Sequence, residues 1–167
     1  MSVPLQTRKR VQYALGYIGL DLLREAANEL DQLSAADQQL PTVRAVRVDL
    51  HMAAKDWEAV IESGSELARE NPECENAWIG WAYALREMQQ IVEAREVLRI
   101  AELHHGGTSA VLHYNLACYE SLLGDIPSAR DRLSTACRME PRFKAESAAD
   151  PDLEALRAAD SRKKSGK

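Results

Sequence analysis

The chain has 167 residues, 46% of them hydrophobic, 28% charged and 5% aromatic, which is one domain's worth of ordinary globular composition and excludes wholesale disorder. No apolar run reaches the ~18 residues of a membrane-crossing helix, and three cysteines, an odd number without a C-x-x-C pair, exclude a disulfide scaffold or a Cys-rich zinc site. The net charge is −5, with +3 before residue 11 (Arg8, Lys9, Arg10) and +4 after residue 160 (Arg162, Lys163, Lys164, Lys167), which leaves −12 on residues 11–160. Such a body repels phosphate, so a folded nucleic-acid surface is not expected. The composition predicts a cytoplasmic protein with no membrane insertion.

Residues 1–6 read as an N-terminal extension. Arg8-Lys9-Arg10 ahead of the apolar stretch Tyr13–Leu20 faintly resembles a secretory signal. The stretch is short, stops at Asp21 and lacks a small-x-small cleavage site, so it reads as the first helix. Strand signals are nearly absent. Further on, Val43, Val46, Leu50 and Ala53, then Trp57, Val60, Ile61, Gly64, Leu67 and Ala68 recur three and four apart, as in amphipathic helices of roughly 12–15 residues. Break signals at Pro41, Asn71-Pro72, Gly106-Gly107 and Glu140-Pro141 each close a pair of helices. Residues 144–160 read as a capping helix, with Asp150 as N-cap, Pro151 at the first helical place and Leu153 and Leu156 covering the end of the preceding helices. Residues 161–167 read as a disordered basic tail.

Pro41, Pro72 and Pro141 are 31 and 69 residues apart, near one and two periods of ~34. The clearest copy starts at Glu75. Trp78, Trp81, Ala82 and Leu85 stand at places 4, 7, 8 and 11, and Ala94, Leu98 and Ala101 at places 20, 24 and 27. A copy from Ala110 has Asn115, Leu116 and Ala117 at places 6–8, then Ala129, Leu133, Ala136 and Pro141 at 20, 24, 27 and 32; Glu120 departs from the aromatic pattern at place 11. A copy from Thr7 has Tyr13, Ala14 and Tyr17 at 7, 8 and 11, then Ala26, Leu30 and Leu33. The copy near Pro41 is degenerate, and its first helix fits better shifted by one residue. These residues resemble the tetratricopeptide repeat family. The resemblance implies an all-α, right-handed α-solenoid of about four helix-turn-helix repeats (7–40, 41–74, 75–109 and 110–143) with a C-terminal capping helix. Small residues at places 8, 20 and 27 let helices approach, large ones fill the gaps, and stacked copies share one core.

Motifs for catalysis or metal are missing: G-x-x-x-x-G-K, H-E-x-x-H and G-x-S-x-G do not occur. His104 and His105 precede Gly106 at a helix end, where they favour the negative dipole. His113 and Cys118 are five apart, ~140° around a helix, the wrong spacing for a nucleophile pair. No catalytic residue, metal or cofactor is expected.

In the family, places 2, 5, 9, 12 and 13 of each first helix face a ligand in a concave groove. The resemblance therefore implies groove residues Val11, Leu15 and Ile18 in the first copy. In the second, read in the shifted register, it implies Arg44, Val48 and His51, with Arg47 near. In the third it implies Ile79, Tyr83 and Arg86, and in the fourth Tyr114 and Cys118, with Asn115 at place 6. Tyr and Arg are what interface centres favour, so Tyr83 and Arg86 are the expected anchors. The chaperone-tail clamp of the family needs Lys at place 5 and Asn at place 9, where Val11 and Leu15 stand, so no two-carboxylate clamp is expected. The expected function is a non-catalytic adaptor that binds a peptide or helix of an unidentified protein partner. The alternatives are a small secretion-type chaperone and a self-associating protein, such as a homodimer.

Overall fold

The computed structural model describes residues 3–165. Helices α1 (Leu5–Gly19), α2 (Leu23–Asp31), α3 (Ala35–Gln38), α4 (Pro41–Ala53), α5 (Trp57–Glu70), α6 (Glu75–Glu87), α7 (Ile91–His105), α8 (Ala110–Leu122) and α9 (Ile126–Met139) follow in order. The short α10 (Phe143–Glu146), a 3-10 turn (Pro151–Leu153) and α11 (Glu154–Ser165) end the chain. There is no strand among the described residues.

Four helix pairs carry one and the same turn. Asp21, Lys55, Gln89 and Gly124 adopt φ of 59°, 55°, 63° and 81°, at spacings of 34, 34 and 35 residues. In each turn the next residue's N–H reaches five residues back: Leu22 to Tyr17, Asp56 to His51, Gln90 to Leu85 and Asp125 to Glu120, at 2.8–3.0 Å. This is the Schellman closure, which satisfies the last carbonyls of the first helix. Entry to the following helix is then capped where the sequence supplies a carboxylate. Asp56 accepts from the Ala59 N–H and Asp125 from the Ser128 N–H, both at 3.2 Å. Pro41 occupies the first turn of α4, where a missing N–H costs nothing.

By its contacts the chain divides into two compact units, residues 1–84 and 85–167. In the first, Ala14, Ala26, Leu30, Leu33, Val43, Val46 and Leu50 form a buried core. Small residues set the approach of α6 to its neighbours. A Cβ on Gly64 would lie 3.3 Å from the Ala77 carbonyl oxygen, and one on Gly80 would lie 3.0 Å from Val48 Cγ1. Trp78 and Trp81 stack at 5.9 Å, and the Trp78 indole donates to the Pro72 carbonyl at 2.9 Å.

In the second unit, Leu98, Ala101, Leu112, Leu116, Ala129 and Ala136 are fully buried. The Arg132 guanidinium forks onto the Glu102 carboxylate, and Arg99 reaches the buried Glu120 at 3.1 Å. The expected capping segment, 144–160, is not one helix. Asp150 breaks it, accepting from the Asp152 N–H at 2.9 Å, and Leu153 and Leu156 bury behind it. Helix α11 continues through Ser165, into the segment expected to be a disordered tail; Arg157 ties its start to the Ser147 and Asp150 carbonyls, and Arg130 pairs with Asp160. At the other end α1 already begins at Leu5, inside the expected extension. Met1, Ser2, Gly166 and Lys167 lie outside the described residues.

Candidate peptide groove

The four turns fix the repeat register. Lys55 lies 34 residues after Asp21 and 34 before Gln89, so the second copy is in step with its neighbours and needs no one-residue shift. A slip of one residue rotates a helix face by ~100°. Places 2, 5, 9 and 12 of α4 therefore belong to Thr42, Ala45, Asp49 and Met52 rather than to the shifted set. The side chains agree with this register. Val48 is 1% exposed and packs on Gly80, a helix-to-helix contact. Arg44 pairs with Glu66 and Glu70 of α5, and Arg47 with Asp31 of α2 at 2.8 Å. Both guanidiniums thus point toward second helices of the pairs. His51 is half-buried, next along that same face.

In residues 1–84 the in-step places fall along α1, α4 and α6. Arg8, Val11 and Gln12 of α1 line one cleft with Val3 and with Thr42 of α4. Met52 of α4 lies 3.9 Å from the Cβ position of Gly80 on α6. Leu15 is 44% exposed and Tyr83 is 38% exposed, and Ile18, Ala45 and Ile79 are half-buried. The Tyr83 ring tilts against Trp57, centroids 5.9 Å apart. Asp49 supplies the acidic place on this stripe. It is half-buried and makes no hydrogen bond or ion pair among the described residues. Burial alone raises its carboxyl above the usual carboxylate range.

In residues 85–167 the corresponding places are already occupied by the chain itself. The Tyr114 hydroxyl donates to Asp150 at 2.7 Å, and the Cys118 thiol lies 3.7 Å from the same oxygen. Arg86 forks onto Asp152, with its Nε 2.8 Å from one carboxylate oxygen, and also pairs with Glu87 at 2.7 Å. The Phe143 ring stacks on Tyr114 at 4.4 Å. Of the expected groove residues here, only Asn115 is half-buried without a side-chain hydrogen bond among the described residues.

The chemistry of this cluster is structural. Burial, reinforced by Asp150, pushes the Cys118 thiol up and keeps it protonated, the opposite of an activated nucleophile. Burial likewise raises the Tyr114 hydroxyl, which stays a donor. Donor atoms of Cys118, Asp150 and Asp152 lie within 4.8 Å of one another. Both carboxylates are engaged, by Arg86 and Tyr114, and a guanidinium among the donors opposes a cation. We assign no metal there. His113 Nε2 sits 2.7 Å from the Gly106 carbonyl oxygen, where it holds a loop.

No helix among the described residues is long and apolar enough to cross a membrane. No protein-family model matches the sequence, and no curated protein matches it. Solved structures do match the fold. MamA MSR-1 C2 superposes with a TM-score of 0.62 at 13% identity, over 96% of this chain and 99% of that one. A structure of a MamA point mutant gives 0.62 at 12% identity, over 92% and 97%. At these identities the likeness shows the fold alone, an all-helical, tetratricopeptide-like one.

Proposed function

We propose that this protein is a non-catalytic scaffold that seats a segment of a partner protein on the first-helix face of residues 1–84. One contrast carries the reading. Leu15 and Tyr83 keep 44% and 38% of their surface exposed, whereas Tyr114, Cys118 and Arg86 at equivalent places are covered by the chain's own Asp150–Leu153 segment. Large apolar groups exposed on one face are what a docking site offers. Tyr83 is retained as an anchor, and Arg86 becomes a structural residue. The partner is a protein, encountered in the cytoplasm. The test is affinity capture with wild type beside a Leu15→Glu/Tyr83→Ala variant that keeps its helical circular dichroism. A partner held by wild type and lost by the variant supports the reading, and equal capture by both overturns it.

A second reading has its own observation. Val92, Ile100 and Leu103 of α7 are 50%, 50% and 83% exposed, within one third of the helix circumference. An apolar stripe of that kind suits self-association. Light scattering at two concentrations, with Leu103→Lys as comparison, tests it.

A further inference from the structure

We infer that Asp49 sets the specificity of the open groove, and that the segment seated there is an apolar stretch of a partner protein carrying one lysine or arginine that pairs with Asp49. The inference rests on the groove reading above and names the chemistry of its occupant.

The neighbours of Asp49 on the stripe of α4 are Ala45 and Met52, one turn to either side. The flanking helices present Val11, Leu15 and Ile18 of α1 and Ile79 and Tyr83 of α6 at the groove places. A carboxylate in an apolar setting loses hydration and gains nothing unless it is paired. Arg10, Glu29, Arg44 and Arg47, half-buried charges of the same unit, each have an ionic partner. Arg10 meets Glu29 at 2.8 Å, Arg44 meets Glu66 and Glu70, and Arg47 meets Asp31. Asp49 differs from these in having no cation among the described residues, on the face that is open.

Three classes of occupant are separated by this one group. An acidic segment would meet both Asp49 and the −12 of residues 11–160, and is repelled. A wholly apolar segment would bury Asp49 further and leave it unpaired, the costly outcome. A segment with one ammonium or guanidinium turns the same desolvated carboxylate into a charge-assisted hydrogen bond while its apolar residues cover Leu15 and Tyr83.

The test uses the full chain and a displayed library of random 12-residue peptides. Four baits are compared: wild type, Asp49→Asn, Asp49→Lys and the groove-blocked Leu15→Glu/Tyr83→Ala, each checked by circular dichroism. Wild type is expected to enrich apolar peptides with one Lys or Arg at a fixed place. A synthetic peptide of that sequence should bind Asp49→Asn at least about tenfold more weakly, equivalent to ~1.4 kcal/mol. Asp49→Lys should enrich Asp or Glu at the same place. If the enriched peptides lack a cation, or bind Asp49→Asn as tightly as wild type while still failing on the blocked variant, the groove stands and the role of Asp49 falls. Enrichment no greater than on the blocked variant would sink both.

Discussion

Arg86, in the last turn of α6, forks onto Asp152 of the C-terminal 3-10 turn, sixty-six residues further along the chain. The pair is mostly buried, with side-chain exposures of 24% and 12%. Its neighbour contact, Tyr114 on Asp150, repeats the arrangement one residue pair away. Together they dock the Asp-Pro-Asp-Leu segment over the first helix of the fourth pair and let Leu153 and Leu156 bury. Arg86→Ala should therefore act on stability rather than on partner binding. Leaving Asp152 without its cation should cost about 1–3 kcal/mol, and amide exchange at residues 150–160 should speed up. An Arg86→Ala protein that melts like wild type yet loses its partner would return Arg86 to the groove.

The same docking hides a thiol. Cys118 is buried, and its proton is held by desolvation beside Asp150. Cys74 and Cys137 are only half-buried. Native protein treated with iodoacetamide at pH 8 should be alkylated at Cys74 and Cys137 first, with Cys118 modified at least about tenfold more slowly, since the thiolate is the reactive form. Mass spectrometry of the digested protein reads this directly. Rapid native modification of Cys118 would show that the C-terminal segment leaves α8 readily.

The turns offer a cleaner measure of backbone strain. At Gly124, φ is +81° and an added Cβ would meet nothing within 4 Å. Gly124→Ala thus isolates the left-handed penalty from any clash, and should cost about 1 kcal/mol. Lys55 holds φ of 55° with a Cβ already present. Lys55→Gly should gain a few tenths to about 1 kcal/mol, as relief of strain outweighs the entropy of glycine. For a chain of this size these are shifts of roughly 2–4 °C per kcal/mol in opposite directions.

Gly80 makes the complementary case, where space rather than φ decides. Its added Cβ would lie 3.0 Å from Val48 Cγ1. Gly80→Ala should destabilise by about 1–3 kcal/mol through overpacking, despite the better helix propensity of alanine. Val48→Ala in the same chain should recover part of that loss, and a double-mutant cycle gives the coupling. Additive effects would mean that Val48 is not the residue Gly80 accommodates.

Much of the fold is legible in local sequence because helix ends are local events. Pro41, Asn71-Pro72, Gly106-Gly107 and Glu140-Pro141 mark the boundaries at which α4 starts and α5, α7 and α9 end. Small residues such as Ala26, Ala94, Ala101 and Ala136 are fully buried where close helix approach demands them. The second copy reads out of step because its apolar pattern is weak, and Val48 looks like a groove residue when it is a packing residue. Only Gly124 among the four turn residues is a glycine; Asp21 is of a type that tolerates positive φ, whereas Lys55 and Gln89 carry no composition signal for it. Their even spacing is what sets the register, and it moves Asp49 to a place that the family pattern assigns to the groove. The return of Asp150 and Asp152 onto Tyr114 and Arg86 is a long-range pairing that no local pattern announces.

Asp49 gives a pH test that needs no partner. Burial raises its carboxyl in the folded protein above the ordinary value of ~3.9. The folded state therefore disfavours ionisation. The associated cost is absent below the ordinary carboxylate pKa, grows as pH rises from there through the raised value, and is complete above it. Asp49→Asn removes the charge at every pH. The variant should be more stable than wild type at pH 7, and the difference should shrink to a small constant as pH falls toward ~3.5. Urea melts at a series of pH values measure it. Adding a bound lysine-bearing peptide at pH 7 should reverse the order, because the cation then stabilises the ionised carboxylate of wild type alone. An Asn variant that is less stable at pH 7 without peptide would mean that Asp49 already has a favourable partner within the fold, and its assignment as the cation-reading group of the groove would fail.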